Sequence, residues 1–84
     1  MNNFKEVILN KFCYTDLVYG RINKKLNLTL SNPEIEELIL KIISETAPSE
    51  FIKKGKNIYI TNHTKKVRLT INSFTNRIIT ADKM

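Results

Sequence analysis

Apolar residues recur at helical spacing before Pro48 and at strand spacing after it. The strongest helical signal follows Pro33, where the apolar stripe consists of Ile35, Leu38, Ile39, Ile42 and Ile43. Ser31 or Asn32 can cap this helix, and proline is well tolerated in a first helical turn. The helix should end before Pro48, because the residue preceding a proline avoids the α-helical conformation.

Two further helices are predicted upstream. Asn3 can cap a short first helix, whose apolar stripe is Phe4, Val7 and Ile8. Thr15 can cap a second helix, whose apolar stripe is Leu17, Val18, Ile22 and Leu26. Gly20 lies inside this second helix at a cost of roughly 1 kcal/mol relative to alanine. We therefore expect Gly20 to allow close packing against another element.

After Glu50 the apolar period changes to two. Strands are predicted at residues 51–53, 57–61, 67–72 and 77–81. The core-facing residues of the third strand are Val67, Leu69 and Ile71. Its outward-facing residues are Arg68, Thr70 and Asn72. If neighbouring strands pair as hairpins, Tyr59 shares the outward side with them.

These patterns predict an α+β fold, with two to three N-terminal helices packed on one face of a three- to four-stranded antiparallel β-meander. A chain of 84 residues suffices for one domain with a modest core. We therefore predict a single domain over residues 1–84, with a helical half at 1–47 and a basic β-sheet half at 48–84.

Charge is divided unequally between these halves. Residues 1–47 contain six basic and six acidic side chains, whereas residues 48–84 contain eight basic and two acidic ones. The formal net charge of +6 therefore comes entirely from the half that holds the predicted sheet. Such a surplus indicates a surface that favours an anionic partner.

The composition excludes several kinds of site and segment. Cys13 and His63 are the only cysteine and histidine, so the chain can form neither an internal disulfide nor a zinc site of four Cys and His ligands. The sequence has no glycine-rich phosphate loop and no calcium-loop motif. We predict no cofactor and no metal. The apolar run at residues 7–9 is too short for a signal peptide or a membrane span, so we expect a cytoplasmic protein without membrane association.

The outward face of the sheet contains the best candidates for binding. An aromatic ring beside guanidinium and hydroxyl groups can stack on a base and hold a phosphate. Lysines in the turns extend this surface toward both ends of the strands, about 20 Å apart, and form two basic clusters. The candidate nucleic-acid-binding residues are Tyr59, Arg68, Thr70, Arg77, Lys54, Lys56, Lys65, Lys66 and His63.

The same pattern also has a purely structural interpretation. An antiparallel sheet that is covered on one face normally exposes polar residues to water on the other. Lysines in turns and on edge strands also prevent aggregation. His63, which lies between Asn62 and Thr64 in a predicted turn, is typical of an ordinary surface residue.

Three functional hypotheses follow from the residues. The first is a binding domain for RNA or another polyanion, without catalysis. The second is a metal-independent ribonuclease or toxin, in which His63 or Tyr59 moves protons while Arg68 and Arg77 stabilise the charged phosphate. The third is a protein-interaction module or homodimer that pairs through an exposed edge strand. The residues leave open whether the protein is an enzyme.

Several short segments together resemble a small bacterial family known only as a domain of unknown function. They are CYTDL at residues 13–17, RI at 21–22, KKGKN at 53–57 with Tyr59, and the segment from Arg68 through INS at 71–73 to RIIT at 77–80. The resemblance spans residues 12–82 and implies no activity, ligand or site residue. The order of elements is also similar to that of small barnase-like and RelE-like ribonucleases and toxins, which implies a fold but no function.

Overall fold

Three helices precede a four-stranded antiparallel sheet in the computed structural model, which describes residues 4–84. The helices are α1 (Phe4–Lys11), α2 (Val18–Leu26) and α3 (Asn32–Glu45), followed by a short 3₁₀ turn at Pro48–Glu50. The strands are β1 (Phe51–Lys54), β2 (Asn57–Asn62), β3 (Val67–Asn72) and β4 (Ile78–Lys83). The predicted α+β fold is confirmed. The predicted cap at Asn3 lies outside the described residues.

The N-terminus of α3 is fixed by a capping box, as its sequence pattern suggests. Ser31 Oγ accepts a hydrogen bond from the Glu34 N–H, and Glu34 Oε1 accepts one from the Ser31 N–H at 2.9 Å. The pKa of Glu34 is held below its ordinary value mainly by the hydrogen bond with the Ser31 backbone. The hydrogen bond with the Ser31 side chain is a smaller cause. The helix ends at Glu45 and the chain turns extended at Thr46, before Pro48.

The predicted start of α2 is wrong. The helix begins at Val18, and the carbonyl oxygen of Thr15 instead accepts a 3.2 Å bond from Val18 N–H in a preceding turn. Leu17 is 82% exposed and does not belong to the buried stripe. Cys13 exchanges backbone hydrogen bonds with the segment that begins β4 and is held as a bridge, and the turn at Thr15 to Val18 follows this bridge closely.

Gly20 does not serve close packing, contrary to the prediction. A β-carbon at this position would have no heavy atom within 4 Å beyond its own helix and chain neighbours. The exposed side of α2 at Gly20 is therefore open, and the glycine is not required by the fold.

The sheet has the strand order β1-β2-β3-β4, so each strand pairs with its neighbour in sequence. The turn between β1 and β2 contains Gly55 at a φ of 66°, a conformation that favours glycine. The core-facing residues of the sheet include Phe51, Ile58, Ile60, Leu69 and Ile71. They share one core with the buried residues of α3, namely Ile35, Ile39, Ile42 and Ile43. The helical and β halves are thus held together by a common core.

Helix α2 packs along β4, which is one edge of the sheet. Arg21 Nη1 donates a 3.5 Å hydrogen bond to the carbonyl oxygen of Ile79, and Lys25 Nζ lies 3.6 Å from Asp82 Oδ1. Ile79 is the extra residue of an irregularity in the pairing of β3 with β4, which shifts between Thr70 and Ile71. Within residues 4–84, no helix is both long and apolar enough to cross a membrane.

Candidate nucleic-acid interface

The side of the sheet that faces away from α3 presents three cross-strand rows of side chains. The middle row is Ile52, Tyr59, Thr70 and Thr80, one residue from each strand. The other rows are Thr61, Arg68 and Asp82 toward one end, and Lys54, Asn57 and Asn72 toward the other. We call these ten residues the outer sheet face. The register therefore confirms the prediction that Tyr59, Arg68 and Thr70 share one side.

A shallow depression on this face brings an aromatic ring and two cations together. It has a volume of about 550 Å³ and is lined by Ile52, Lys54, Gly55, Tyr59, Thr61 and Arg68. Arg68 Nε donates a 3.3 Å hydrogen bond to Thr61 Oγ1, which positions the guanidinium group. Arg68 is a diagonal neighbour of Tyr59 across the strand pair, at a spacing of roughly 7–8 Å. A base on the ring and its phosphate on the guanidinium fit this spacing.

Thr70 is less accessible than its position on the outward side suggests. Its side chain lies between Tyr59 and Thr80 in the middle row, and the residue is only 8% exposed. Thr70 therefore supports its neighbours and presents little surface to a ligand.

The turn between β1 and β2 lies against the turn between β3 and β4. The N–H and the hydroxyl of Ser73 each donate a 2.9 Å hydrogen bond to the carbonyl oxygen of Lys56. Lys53 Nζ lies 6.0 Å from the centroid of the Phe74 ring, in the range of a cation–π contact. Lys54 and Lys56 therefore form a basic cluster at this end of the sheet.

The opposite end is less basic than predicted, because carboxylates lie beside two of its candidate binding residues. His63 Nε2 is 3.4 Å from Glu50 Oε1, and Lys65 Nζ is 3.5 Å from Oε1 of Glu45, at the end of α3. Lys66 occupies the same turn with a φ of 56°, and no carboxylate of residues 4–84 lies within 4.0 Å of its ammonium group. Lys66 and the exposed Lys83, which is paired with Val67 in the sheet, are thus the cations at this end that have no carboxylate of residues 4–84 beside them.

The four residues of the ribonuclease hypothesis do not meet at one point. Tyr59 and Arg68 are neighbours near the middle of the sheet. His63 follows β2 at one end, whereas Arg77 precedes β4 at the other, and a six-residue strand between them spans about 20 Å. Arg77 lines a separate cavity with Arg21.

The sequence reasoning missed the contribution of α2. Its cations are Arg21, Lys24 and Lys25, and they border a hollow that also contains Gly20 and Thr80. The helical half is neutral only as a sum, because α2 contains no acidic residue while four of the six carboxylates of this half lie on α3, which packs on the core face of the sheet. Counting charge for each helix separately would have found this surface.

Residues 6–82 match the family described as protein of unknown function (DUF3781). The chain belongs to this family. The resemblance to a family of unknown function is therefore confirmed. No curated protein and no solved structure gives a significant match, so the likeness to barnase-like and RelE-like folds stays a prediction.

Cys13 and His63, the one cysteine and the one histidine of this DUF3781 domain, do not lie together. Cys13 Sγ lies 3.7 Å and 3.6 Å from the carbonyl oxygens of Thr75 and Asn76, at the end of the sheet opposite His63. Among residues 4–84, no three His, Cys, Asp or Glu side chains are grouped as metal ligands would be.

The edges of the sheet bear on the hypothesis of strand pairing between proteins. One edge, β4, is covered by α2, whose Arg21 contacts it directly. The other edge, β1, has four residues and includes Lys53 and Lys54. A short edge strand with two lysines disfavours pairing with another chain.

Proposed function

We propose that the DUF3781 domain binds RNA through the outer sheet face and the adjoining cations of α2. The observation that carries the proposal is the depression in which Tyr59 lies between Lys54 and Arg68. Among residues 4–84, no carboxylate oxygen lies within 4.0 Å of the charged group of either cation. Exposed cations without a nearby carboxylate, beside an aromatic ring, suit a ligand that alternates phosphates with bases.

The distribution of charge over the molecule supports binding of the ligand to the same face. Helix α3 carries four glutamates and one lysine, and it packs on the core face of the sheet. An approaching polyanion is therefore repelled from the α3 side and attracted to the opposite side, where α2 and the outer sheet face adjoin. This arrangement favours a single binding face.

The affinity for RNA should depend on Arg68 and on salt. We would measure binding of a short fluorescein-labelled single-stranded RNA by fluorescence anisotropy between about 50 and 200 mM salt. Arg68→Ala should weaken binding several-fold and reduce the slope of log K against log salt by about 0.7, the value for one lost phosphate contact on a single strand. The matched control is Lys41→Ala, which removes one exposed cation from α3 and should leave both quantities unchanged.

Two variants distinguish stacking of a base on the Tyr59 ring from hydrogen bonding by the Tyr59 hydroxyl. Tyr59→Leu keeps an apolar side chain but removes the ring, and it should cost about 1–3 kcal/mol of binding free energy. Tyr59→Phe keeps the ring and should bind nearly as well as the unaltered protein. If RNA binds no better than a neutral polymer at about 50 mM salt, the proposed function is wrong.

We do not extend the proposal to RNA cleavage. His63 lies beside Glu50 at one end of the sheet and Arg77 lies at the other end, so only Tyr59 and Arg68 are neighbours among the four residues of the ribonuclease hypothesis.

A further inference from the structure

A second cavity lies beside the outer sheet face, between the segment that precedes α2 and the start of β4. It has a volume of about 350 Å³, which is at the lower end of the range for small-molecule sites. Its charged residues are Arg21 of α2 and Arg77, and no carboxylate lines it. Among residues 4–84, no carboxylate oxygen lies within 4.0 Å of either guanidinium group. Two arginines facing one small cavity without an acid require an anion or water as their partner.

The guanidinium group of Arg21 and the main chain of Arg77 are held in place by hydrogen bonds. Arg21 Nη1 donates to the carbonyl oxygen of Ile79, the extra residue of the β3–β4 irregularity. The N–H of Arg77 donates a 3.4 Å hydrogen bond to Thr75 Oγ1. Cys13 bridges the same segment, because its N–H donates to the Asn76 carbonyl oxygen and its own carbonyl oxygen accepts from the Ile78 N–H, both at 2.9 Å. The cavity is therefore built by secondary structure from both halves of the chain.

Neutral donors complete the lining of the cavity. Asn72 Oδ1 accepts hydrogen bonds from the N–H groups of Phe74 and Thr75 at 2.8 Å and 3.0 Å. These bonds fix the Asn72 side chain and leave its Nδ2 group as a donor, since no acceptor among residues 4–84 is bonded to it. The hydroxyls of Thr15 and Thr75 also line the cavity. Two guanidinium groups, an amide and two hydroxyls form the donor set of a phosphate site.

The cavity is apolar on its remaining side. Val18, Ile78 and Ile79 line it, together with the exposed Leu17. An inorganic anion bound alone would fill only the polar part of the cavity and leave this apolar wall in contact with water. A ligand that joins a phosphate to a sugar and a base would fill both parts of the cavity.

We propose that this cavity, between Arg21 and Arg77, binds a phosphate monoester at the end of an RNA chain. That the phosphate belongs to an RNA chain rests on the proposed function. That the cavity binds a phosphate monoester does not depend on it. A phosphate monoester has a charge of about −1.5 to −2 at neutral pH, against −1 for a diester within the chain. Two arginines therefore distinguish the end of a strand from its interior, and the cavity lies where a strand on the outer sheet face would end.

The site can be tested first with a small probe. We would titrate the protein with uridine 5′-monophosphate and, separately, with uridine, and follow the backbone amide signals by NMR. The monophosphate should shift the signals of the cavity segments, and uridine should not. Arg77→Ala should abolish the shifts, and Lys41→Ala, on α3, should retain them. Equal shifts with both probes, or unchanged binding by Arg77→Ala, would overturn the site.

A conservative variant distinguishes the loss of binding from misfolding of the protein. Arg77→Lys keeps the charge but loses the planar pair of donors, so it should weaken binding of the monophosphate roughly tenfold while keeping a native amide spectrum. Arg21→Ala, which removes the second guanidinium from another element, should have a comparable effect. Full retention of affinity in both variants would contradict the proposed role of the arginines.

The RNA origin of the phosphate is tested with three oligonucleotides of one sequence, which carry a 5′-phosphate, a 3′-phosphate or hydroxyls at both ends. One phosphorylated form should bind roughly tenfold more tightly than the hydroxyl form, and Arg77→Ala should remove this ratio. Arg68→Ala should weaken all three and keep the ratio. If hydroxyl-ended RNA binds well and a terminal phosphate adds nothing, the site is wrong and RNA binding stands. If the monophosphate binds but no RNA does, the site stands and the proposed function fails.

Discussion

The hydroxyl of Tyr19 on α2 donates a 2.6 Å hydrogen bond to Oε2 of Glu36 on α3. The ring of Tyr14 stacks on that of Tyr19, with centroids 5.2 Å apart and an interplanar angle of 11°. The bond to Glu36 is the main reason that the pKa of Tyr19 is raised to about 12, with burial and the charges of Glu36 and Asp16 as further causes. Burial, followed by the charges of Glu36 and Tyr19, also raises the pKa of Tyr14.

This contact should make stability depend on alkaline pH. An unfolded tyrosine has a pKa near 10, whereas that of Tyr19 in the fold is about 12. The contribution of the Tyr19 hydroxyl to the free energy of unfolding is therefore fully present below about pH 10 and is lost as the pH rises toward 12. Tyr19→Phe should lower the free energy of unfolding by about 1 kcal/mol at neutral pH. The difference between the two proteins should shrink between about pH 10 and 12 in urea titrations. A constant difference over that interval would contradict the assignment.

A buried polar contact between the helices and the sheet should also be important for stability. Asn62 Nδ2 donates a 3.0 Å hydrogen bond to Thr46 Oγ1, and Asn62 Oδ1 accepts one of 2.8 Å from the Lys65 N–H. Asn62→Ala would remove both bonds and leave the buried Thr46 hydroxyl with only its bond to the Ile42 carbonyl oxygen, at a cost of about 1–3 kcal/mol in the free energy of unfolding. The control is Asn57→Ala on the same strand, where no side-chain hydrogen bond is formed within residues 4–84 and the cost should stay below about 1 kcal/mol. Equal losses would show that the contact is unimportant.

The open surroundings of Gly20 predict a stabilising substitution. Gly20→Ala adds a methyl group that meets no heavy atom within 4 Å, and it should raise the free energy of unfolding by roughly 0.5–1 kcal/mol. Gly55→Ala is the matched comparison and should instead destabilise, because Gly55 has a φ of 66°. Thermal unfolding followed by circular dichroism distinguishes these outcomes. A loss of stability in Gly20→Ala would mean that the helix is distorted at this point.

The sequence predicts α3 and the meander well because their signals are local. The capping box at Ser31 lies within one turn of its helix, and the alternation in β3 needs no knowledge of its partners. The backbone pairing of Cys13, just before α2, could not be found in this way, because its partner is a segment some sixty residues away.

The same difference between local and non-local signals applies to the residues of the candidate site. The shared side of Tyr59 and Arg68 follows from alternation and hairpin pairing, and it was predictable. The ion pair of Lys65 with Glu45 depends on how the end of α3 meets the turn after β2, which no local pattern encodes. The grouping of Arg21 with Arg77 has the same origin, since it requires α2 to pack along β4.

Asp82 offers a test in which removing a charge should strengthen binding. It is the cross-strand partner of Arg68 on the outer sheet face, and Lys25 lies beside it. A phosphate on Arg68 would lie roughly 7 Å from its carboxylate, where one unit of repulsion is about 0.5 kcal/mol in water. Asp82→Asn should therefore raise the affinity for RNA about two- to threefold at low salt, and the gain should fade as salt increases. Glu37→Gln removes an exposed carboxylate from α3, which packs on the opposite face, and should leave the affinity unchanged. A loss of affinity in Asp82→Asn, measured by anisotropy, would place the ligand elsewhere, because a phosphate on this face cannot benefit from that carboxylate.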